Sequence, residues 1–233
     1  MPTSWIKYIA IAAMLCDHIG LFLFPDITFL RDIGRIAFPL FAWLIANGAY
    51  HTKDIRKYLS RLLLFAFISQ IPFTLANQEI GSPLFYLNIF FTLFLGLLAI
   101  FGIKNNKNII TQAGIVIVCA LAANIIHADY GAGGVLSIVM FYIFFKNKGL
   151  LLLSQLFVFV IAPYIMELVR YAYTDYNILL HYMSVEWYAL LALPFIFLYN
   201  NKKGKDYKYL LYVVYPLQYL IIFAILTTGL ITR

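Results

Sequence analysis

The sequence predicts an all-α membrane protein, a polytopic helical bundle of about nine transmembrane helices with a cytoplasmic N-terminus. Three observations predict it. Of the 233 residues, 64% are apolar and 12% charged, against about half and about a quarter in a soluble domain. Apolar runs recur at lengths near the ~20 residues a helix needs to cross a ~30 Å hydrocarbon core. Basic residues collect in every second connection, the pattern that fixes orientation in a membrane. The same composition excludes a cytosolic globule, a disordered chain and a disulfide-built secreted module. The two cysteines, Cys16 and Cys119, both lie in apolar runs, so neither a disulfide framework nor a Cys-based zinc site is expected. A net charge of +7 raises nucleic acid as a partner, but the charges sit between apolar segments, so none is expected.

The predicted segments are 5–24, 33–50, 58–75, 85–103, 109–126, 133–145, 150–168, 187–199 and 209–230. The sixth and eighth are short, which leaves re-entry as an alternative for either. Spanning β-strands alternate apolar and polar positions, whereas these runs are apolar on both parities, so the spans are helices. Lys7, Lys53, Arg56, Lys57, Arg61, Lys104, Lys107, Lys146, Lys148, Lys202, Lys203, Lys205 and Lys208 fall on one side. Arg31, Arg35, Arg170 and Arg233 fall on the other, with the acids Asp26, Asp32, Glu79, Asp129, Glu167, Asp175 and Glu186. The basic side is cytoplasmic by the positive-inside rule. The first segment resembles a signal anchor but lacks a small-residue cleavage site, so it is expected to stay uncleaved. With no linker, charge block or internal repeat, residues 1–233 form one domain in the cell membrane.

A titratable side chain inside a span costs a few kcal/mol and calls for a partner or a role. The first segment carries two in succession, Asp17 and His18. Lys7 lies eleven residues before His18, close to three helical turns or about 16.5 Å of rise. The two therefore share a face at different depths. Asp17 points about 100° away from His18 and cannot orient the imidazole as its chain neighbour. Arg35 opens the second segment and is expected to pair with Asp17, lowering the cost of burying both; snorkelling to the headgroups is the alternative. Pro39 is expected to kink that segment.

Ser69, Gln70, Asn88, Thr92 and Gln218 lie in or at the ends of segments. Singly such residues are more often glue between helices than site residues. Together with Asp17, His18 and Arg35 they suggest a polar cavity open to the external side. On the opposite side Lys53, Arg56, Lys57 and Arg61 form a basic cluster. Plain topology explains part of it, and a phosphate-binding mouth is the sharper reading. Gly131-Ala132-Gly133-Gly134 follows no soluble strand and reads as a helix start rather than a nucleotide loop.

These motifs, in this order, resemble the TraX family: Lys7…Asp17-His18; Gly34-Arg35-Ile36-Ala37-Phe38-Pro39-Leu40-Phe41; Thr52, Tyr58…Arg61-Leu62; Ser69-Gln70-Ile71-Pro72-Phe73; Leu87-Asn88…Phe91-Thr92…Gly96; Asp129-Tyr130-Gly131…Gly134-Val135-Leu136; and Tyr212…Tyr215-Pro216-Leu217. TraX proteins are linked to N-terminal acetylation of conjugative pilin and look like small members of a wider group of transmembrane acyltransferases. The resemblance implies acetyl transfer from cytoplasmic acetyl-CoA to an amine or hydroxyl at the outer face, either a protein N-terminus or a surface glycan. By that resemblance Lys7 helps hold the acyl-CoA and His18 is the catalytic base. Arg56, Lys57 and Arg61 join Lys7 around the donor; Arg35, Ser69, Gln70 and Gln218 line the acceptor's entry. Asn88 or Arg35 steadies the oxyanion, and Asp17 supports the site. The family's Tyr-Pro-Leu motif is often followed by His, where this chain has Gln218, which cannot transfer a proton. No metal is expected; the partners are membrane lipid, acyl-CoA and an extracytoplasmic acceptor.

Two rival classes carry their own expectations. A small proton-coupled carrier would also bury titratable groups, with Asp17, His18 and Asp129 as a relay, but the chain lacks repeat symmetry. A non-catalytic assembly factor for a surface appendage would keep the fold without the chemistry, in line with the Gln218 departure.

Overall fold

The structure, a computed structural model, describes residues 1–170, 187–205, 207 and 209–228. Asp175, Glu186, Lys208, Arg233 and the end of the last predicted segment lie outside the described residues, as do the side chains of Glu167, Leu168 and Arg170.

The described chain is helical throughout. In order it forms α1 (Thr3–Phe22), α2 (Thr28–Gly34), α3 (Ala37–His51), α4 (Ile55–Gln78), α5 (Ile89–Asn105) and α6 (Ile109–Ile125). Then come α7 (Gly131–Ile143), α8 (Lys148–Leu156), a π-turn (Phe157–Ile161) and α9 (Ala162–Arg170). A 3₁₀ turn (Tyr188–Ala192), α10 (Leu193–Phe197) and α11 (Leu210–Thr227) complete it. Four stretches, Thr3–Phe22, Ile55–Gln78, Lys148–Met166 and Leu210–Thr227, are long and apolar enough to cross a membrane. Helix starts follow side-chain chemistry: Asp54, Asn88, Asn108 and Asn147 each accept a backbone N–H of the first turn, satisfying donors that a helix leaves orphaned.

The second predicted segment is divided. The chain leaves α1, makes the short α2 against it, and turns at Arg35–Ile36 into α3. Pro39 is the third residue of α3, within the first turn, where a missing N–H costs nothing; it starts this helix rather than kinking it. The short sixth segment is α7, 13 residues long and about 20 Å by helical rise. The glycine run does open it: Gly131 takes φ +45°, and Asn124 Oδ1 accepts the Ala132 N–H at 2.7 Å.

Packing assembles these helices around one continuous core. α1 rests on α2 and α3, α11 on α4 and α1, and α5, α6 and α7 pack on one another while α3 bridges α1, α5 and α7. Alternate connections meet at common ends. At the basic end the chain start is tied to the segment before α11 by Thr3 N–H to Lys202 O (2.9 Å) and Ser4 N–H to Lys203 O (3.1 Å). Lys104 Nζ caps a carbonyl of α3 at Ala49 (3.0 Å), and Lys148 Nζ reaches Phe197 O (3.0 Å), so part of the basic bias serves helix C-termini. At the other end the connection before α5 lies against that before α7, with Leu87 N–H to His127 O (3.1 Å) and Asp129 N–H to Leu87 O (2.9 Å).

Candidate active site

Two separate cavities lie at opposite ends of α1. The first, about 520 Å³, is lined by Asp17, His18, Arg31, Arg35, Asp129 and Tyr219 among others. The second, about 480 Å³, is at the basic end and is lined by Lys7, Asn47, Tyr58, Arg61, Lys203 and Tyr212 among others. No residue lines both. Between them Phe90, Tyr215 and Met14 are buried. Tyr215 packs on Phe90 at 5.0 Å and on Tyr219 at 5.2 Å, and Phe90 stacks on Tyr212 at 5.9 Å. These rings link Tyr219, which lines the first cavity, to Tyr212, which lines the second.

At the first cavity α1 presents Asp17 and His18 side by side. The helix turn separates them as the sequence implies, so they take different partners. Asp17 pairs with Arg31, Nη1 to Oδ2 at 2.8 Å, a partner the sequence did not suggest; Arg35, the expected one, lines the same cavity. The physical reason is α2, a seven-residue helix that lifts Arg31 out of the connection and lays it along α1. Gly34 allows that approach, since a Cβ there would fall 2.4 Å from Asp17 Cβ. His18 Nε2 meets the Tyr219 hydroxyl at 3.1 Å, and the two rings lie 4.8 Å apart. His18 Nδ1 is buried without a hydrogen-bond partner. Gln218, only 6% exposed, adjoins the imidazole, yet neither of its amide atoms makes a regular hydrogen bond.

Asp129 faces the same cavity from the connection before α7. Three residues of that connection and the helix start, His127, Tyr130 and Gly131, have positive φ, a conformation that costs about 1–3 kcal/mol at each non-glycine position. The backbone is clamped by the Leu87 bonds and by the Thr92 hydroxyl donating to Asp129 O. Burial, and then the nearby Asp17 carboxylate, push the Asp129 carboxyl up to about 6.

Several sequence candidates lie elsewhere. Asn88 is fully buried, with Nδ2 donating to Ala66 O and Gln70 Oε1 at 2.8 Å each and Oδ1 accepting the Phe90 N–H at 3.0 Å. Both its donors are spent, so it caps α5 and clasps α4 instead of serving an oxyanion. Gln70 is the other half of that clasp: its Nε2 donates to Thr74 Oγ1 (3.0 Å) and Tyr86 O (2.9 Å). Ser69 is buried away from the cavity lining. In the basic cluster Arg61 lines the second cavity, whereas Arg56 lies over the Phe101 ring at 5.9 Å and exposed Lys57 pairs with its helix cap Asp54 at 3.3 Å. Among the described residues no group of three His, Cys, Asp or Glu is placed to hold a metal ion. The sequence reading missed Arg31 and Tyr219. A tyrosine seven positions from Tyr212 on the same apolar helix carried the only available signal.

Fold and site together define an all-helical bundle of apolar helices with a histidine–tyrosine contact and a carboxylate–guanidinium pair in one polar cavity and a basic cavity opposite. The chain matches the model of the TraX protein family over residues 3–227 and belongs to that family. It is 30% identical to a probable fimbrial assembly protein FimC, serogroup H1, of Dichelobacter nodosus, across 91% of this chain and 90% of that protein. A shorter similarity, 33% identity over 101 residues, joins it to the uncharacterized protein RP591 of Rickettsia prowazekii (strain Madrid E), covering 43% of this chain and 37% of that one. No solved structure matches it.

Proposed function

We propose that the chain is a multi-pass cell-membrane acetyltransferase, N-terminus in the cytoplasm, that moves an acetyl group from cytoplasmic acetyl-CoA to an amine or hydroxyl at the outer face. The observation that carries the reading is the placement of His18 in one cavity and Lys7 in the other, at opposite ends of one helix. The second cavity suits the phosphates of CoA: Lys7, Arg61 and Lys203 converge there, and the buried Arg61 Nε and Asn47 Oδ1 have no hydrogen-bond partner within the protein. Such atoms favour a polar ligand.

In this reading the acceptor occupies the first cavity and its nitrogen or oxygen attacks the thioester carbonyl carbon. A carbon–nitrogen or carbon–oxygen bond forms, the carbon–sulfur bond breaks, and the electron pair stays on sulfur. His18 takes the acceptor's proton and CoA departs as the thiol once that proton has been returned. Phe90 and Tyr215 must part for the pantetheine arm to pass.

The packing of Phe90 and Tyr215 between the cavities favours a second reading, a non-catalytic assembly factor, which agrees with the name of the Dichelobacter relative, a probable fimbrial assembly protein. The test is incubation of purified protein with radiolabelled acetyl-CoA and envelope fractions, alongside His18→Ala. The proposal expects a labelled acceptor that disappears with His18→Ala in a folded protein. No label with wild type, together with normal fimbriae in a His18→Ala strain, would establish the second reading instead.

A further inference from the structure

We infer that Tyr219 is the group that meets the acceptor, and that His18 receives the acceptor's proton only through the Tyr219 hydroxyl. This rests on the acetyl-transfer reading and adds a residue that reading does not contain.

Both ring nitrogens of His18 are closed to direct attack. Nδ1 is buried, and the Tyr219 hydroxyl occupies the approach to Nε2 at 3.1 Å; in the tautomer the relay needs, Nε2 accepts from that hydroxyl. Tyr219 itself lines the first cavity although the residue as a whole is 3% exposed, so little beyond a small part of it meets the space. Its ring is held by Phe22 at 5.7 Å, Phe73 at 5.4 Å and Tyr215 at 5.2 Å, each edge-on. The hydroxyl therefore has a fixed direction, as a proton-transfer group needs.

The step balances with groups present. As the acceptor's lone pair bonds to the thioester carbonyl carbon, its proton moves to Tyr219 Oη while the Tyr219 proton moves to His18 Nε2. A free tyrosinate is never formed, which matters because a phenol near pKa 10 is a poor proton source at neutral pH. The imidazolium stands beside the Asp17 carboxylate. It returns its Nε2 proton through the same hydroxyl to the departing thiolate, restoring both residues.

The test uses full-length protein in detergent, with acetyl-CoA as donor, an envelope fraction as acceptor and release of CoA thiol as readout. Tyr219→Phe should lower kcat by at least about 100-fold with KM for acetyl-CoA changed less than about twofold. In mixtures of light and heavy water, wild type should give a curved proton inventory from two protons in flight, and Tyr219→Phe a straight one. A role as mere anchor between α11 and α1 would leave the inventory curved, and that result, or a rate within threefold of wild type, overturns the relay. If Tyr219→Phe fails to fold, 3-fluorotyrosine at the same position keeps the shape and lowers the phenol pKa; an unchanged rate and inventory overturns the relay there too. Wild type that releases no CoA overturns acetyl transfer itself and takes the relay with it, whereas active Tyr219→Phe overturns the relay alone.

Discussion

Arg31 holds Asp17 at two points: its Nη1 lies 2.8 Å from Oδ2 and 3.3 Å from the Asp17 main-chain oxygen. One guanidinium thus neutralises the carboxylate and satisfies a carbonyl of α1 in the same place. The side chains are 26% and 21% exposed, sheltered enough for the charges to interact across a low-dielectric wall. A double-mutant cycle between Arg31→Gln and Asp17→Asn, read from unfolding in detergent, is expected to give a coupling of about 1–2 kcal/mol. A coupling indistinguishable from zero would remove the assignment to Arg31.

Gly34 is the second requirement for that pair. Because an added Cβ would lie 2.4 Å from Asp17 Cβ, Gly34→Ala should force α2 away from α1 and destabilise by about 1–3 kcal/mol. Gly114, with open space around it, is the internal control: Gly114→Ala in the middle of α6 should be neutral or stabilising by up to about 1 kcal/mol. Thermal unfolding of the two variants, compared side by side, tests the contact.

Asn88 and Gln70 form a closed set of hydrogen bonds between α4 and the start of α5. Asn88→Ala removes the cap, orphans the Phe90 N–H and takes from the Gln70 oxygen one of its two donors, the Asn88 main-chain N–H remaining, for a loss of about 1–3 kcal/mol. Acetyl transfer per folded molecule should change less than threefold. A kcat deficit of 100-fold in a stably folded variant would return Asn88 to the chemistry.

Asp129 makes stability depend on pH. Its folded pKa of about 6 lies above the usual value near 3.9, so the folded state binds the proton more tightly. The contribution is complete below about pH 4 and is lost as pH rises through about 6. The groups facing it are Asp17, Arg31 and Arg35, with Tyr215 and Tyr219 from α11. Wild-type unfolding temperature is therefore expected to fall between about pH 5 and 7, and Asp129→Asn should flatten that fall. An identical slope in the variant would show that Asp129 titrates normally.

What the sequence made legible was set by properties that survive without neighbours. Length and apolarity located most helices, and charge alternation sorted their ends. The eleven-residue spacing of Lys7 and His18 placed them at opposite ends of one face. Arg31 was illegible because α2 is too short and too polar at its ends to register as an apolar run, so the residue fell into a connection. Asn88 and Gln70 looked like cavity residues because a polar side chain near a helix end reads the same whether it meets a ligand or another helix. Their 18-residue separation becomes a contact only through the register of α4 against α5. Tyr219 was hidden among eighteen tyrosines, with nothing local to mark the one that reaches an imidazole 201 positions away.

The layer of Phe90, Tyr215 and Met14 that divides the two cavities has an electrical consequence. Under the proposed orientation each cavity opens to its own aqueous compartment, so the voltage across the bilayer drops mainly over those few uncharged side chains. An elementary charge crossing 100 mV gains or loses about 2.3 kcal/mol, whereas an acetylated pantetheine arm, which carries no charge, would cross that field at no electrical penalty once Phe90 and Tyr215 had parted. The bundle would then export acetyl groups while remaining an insulator to ions.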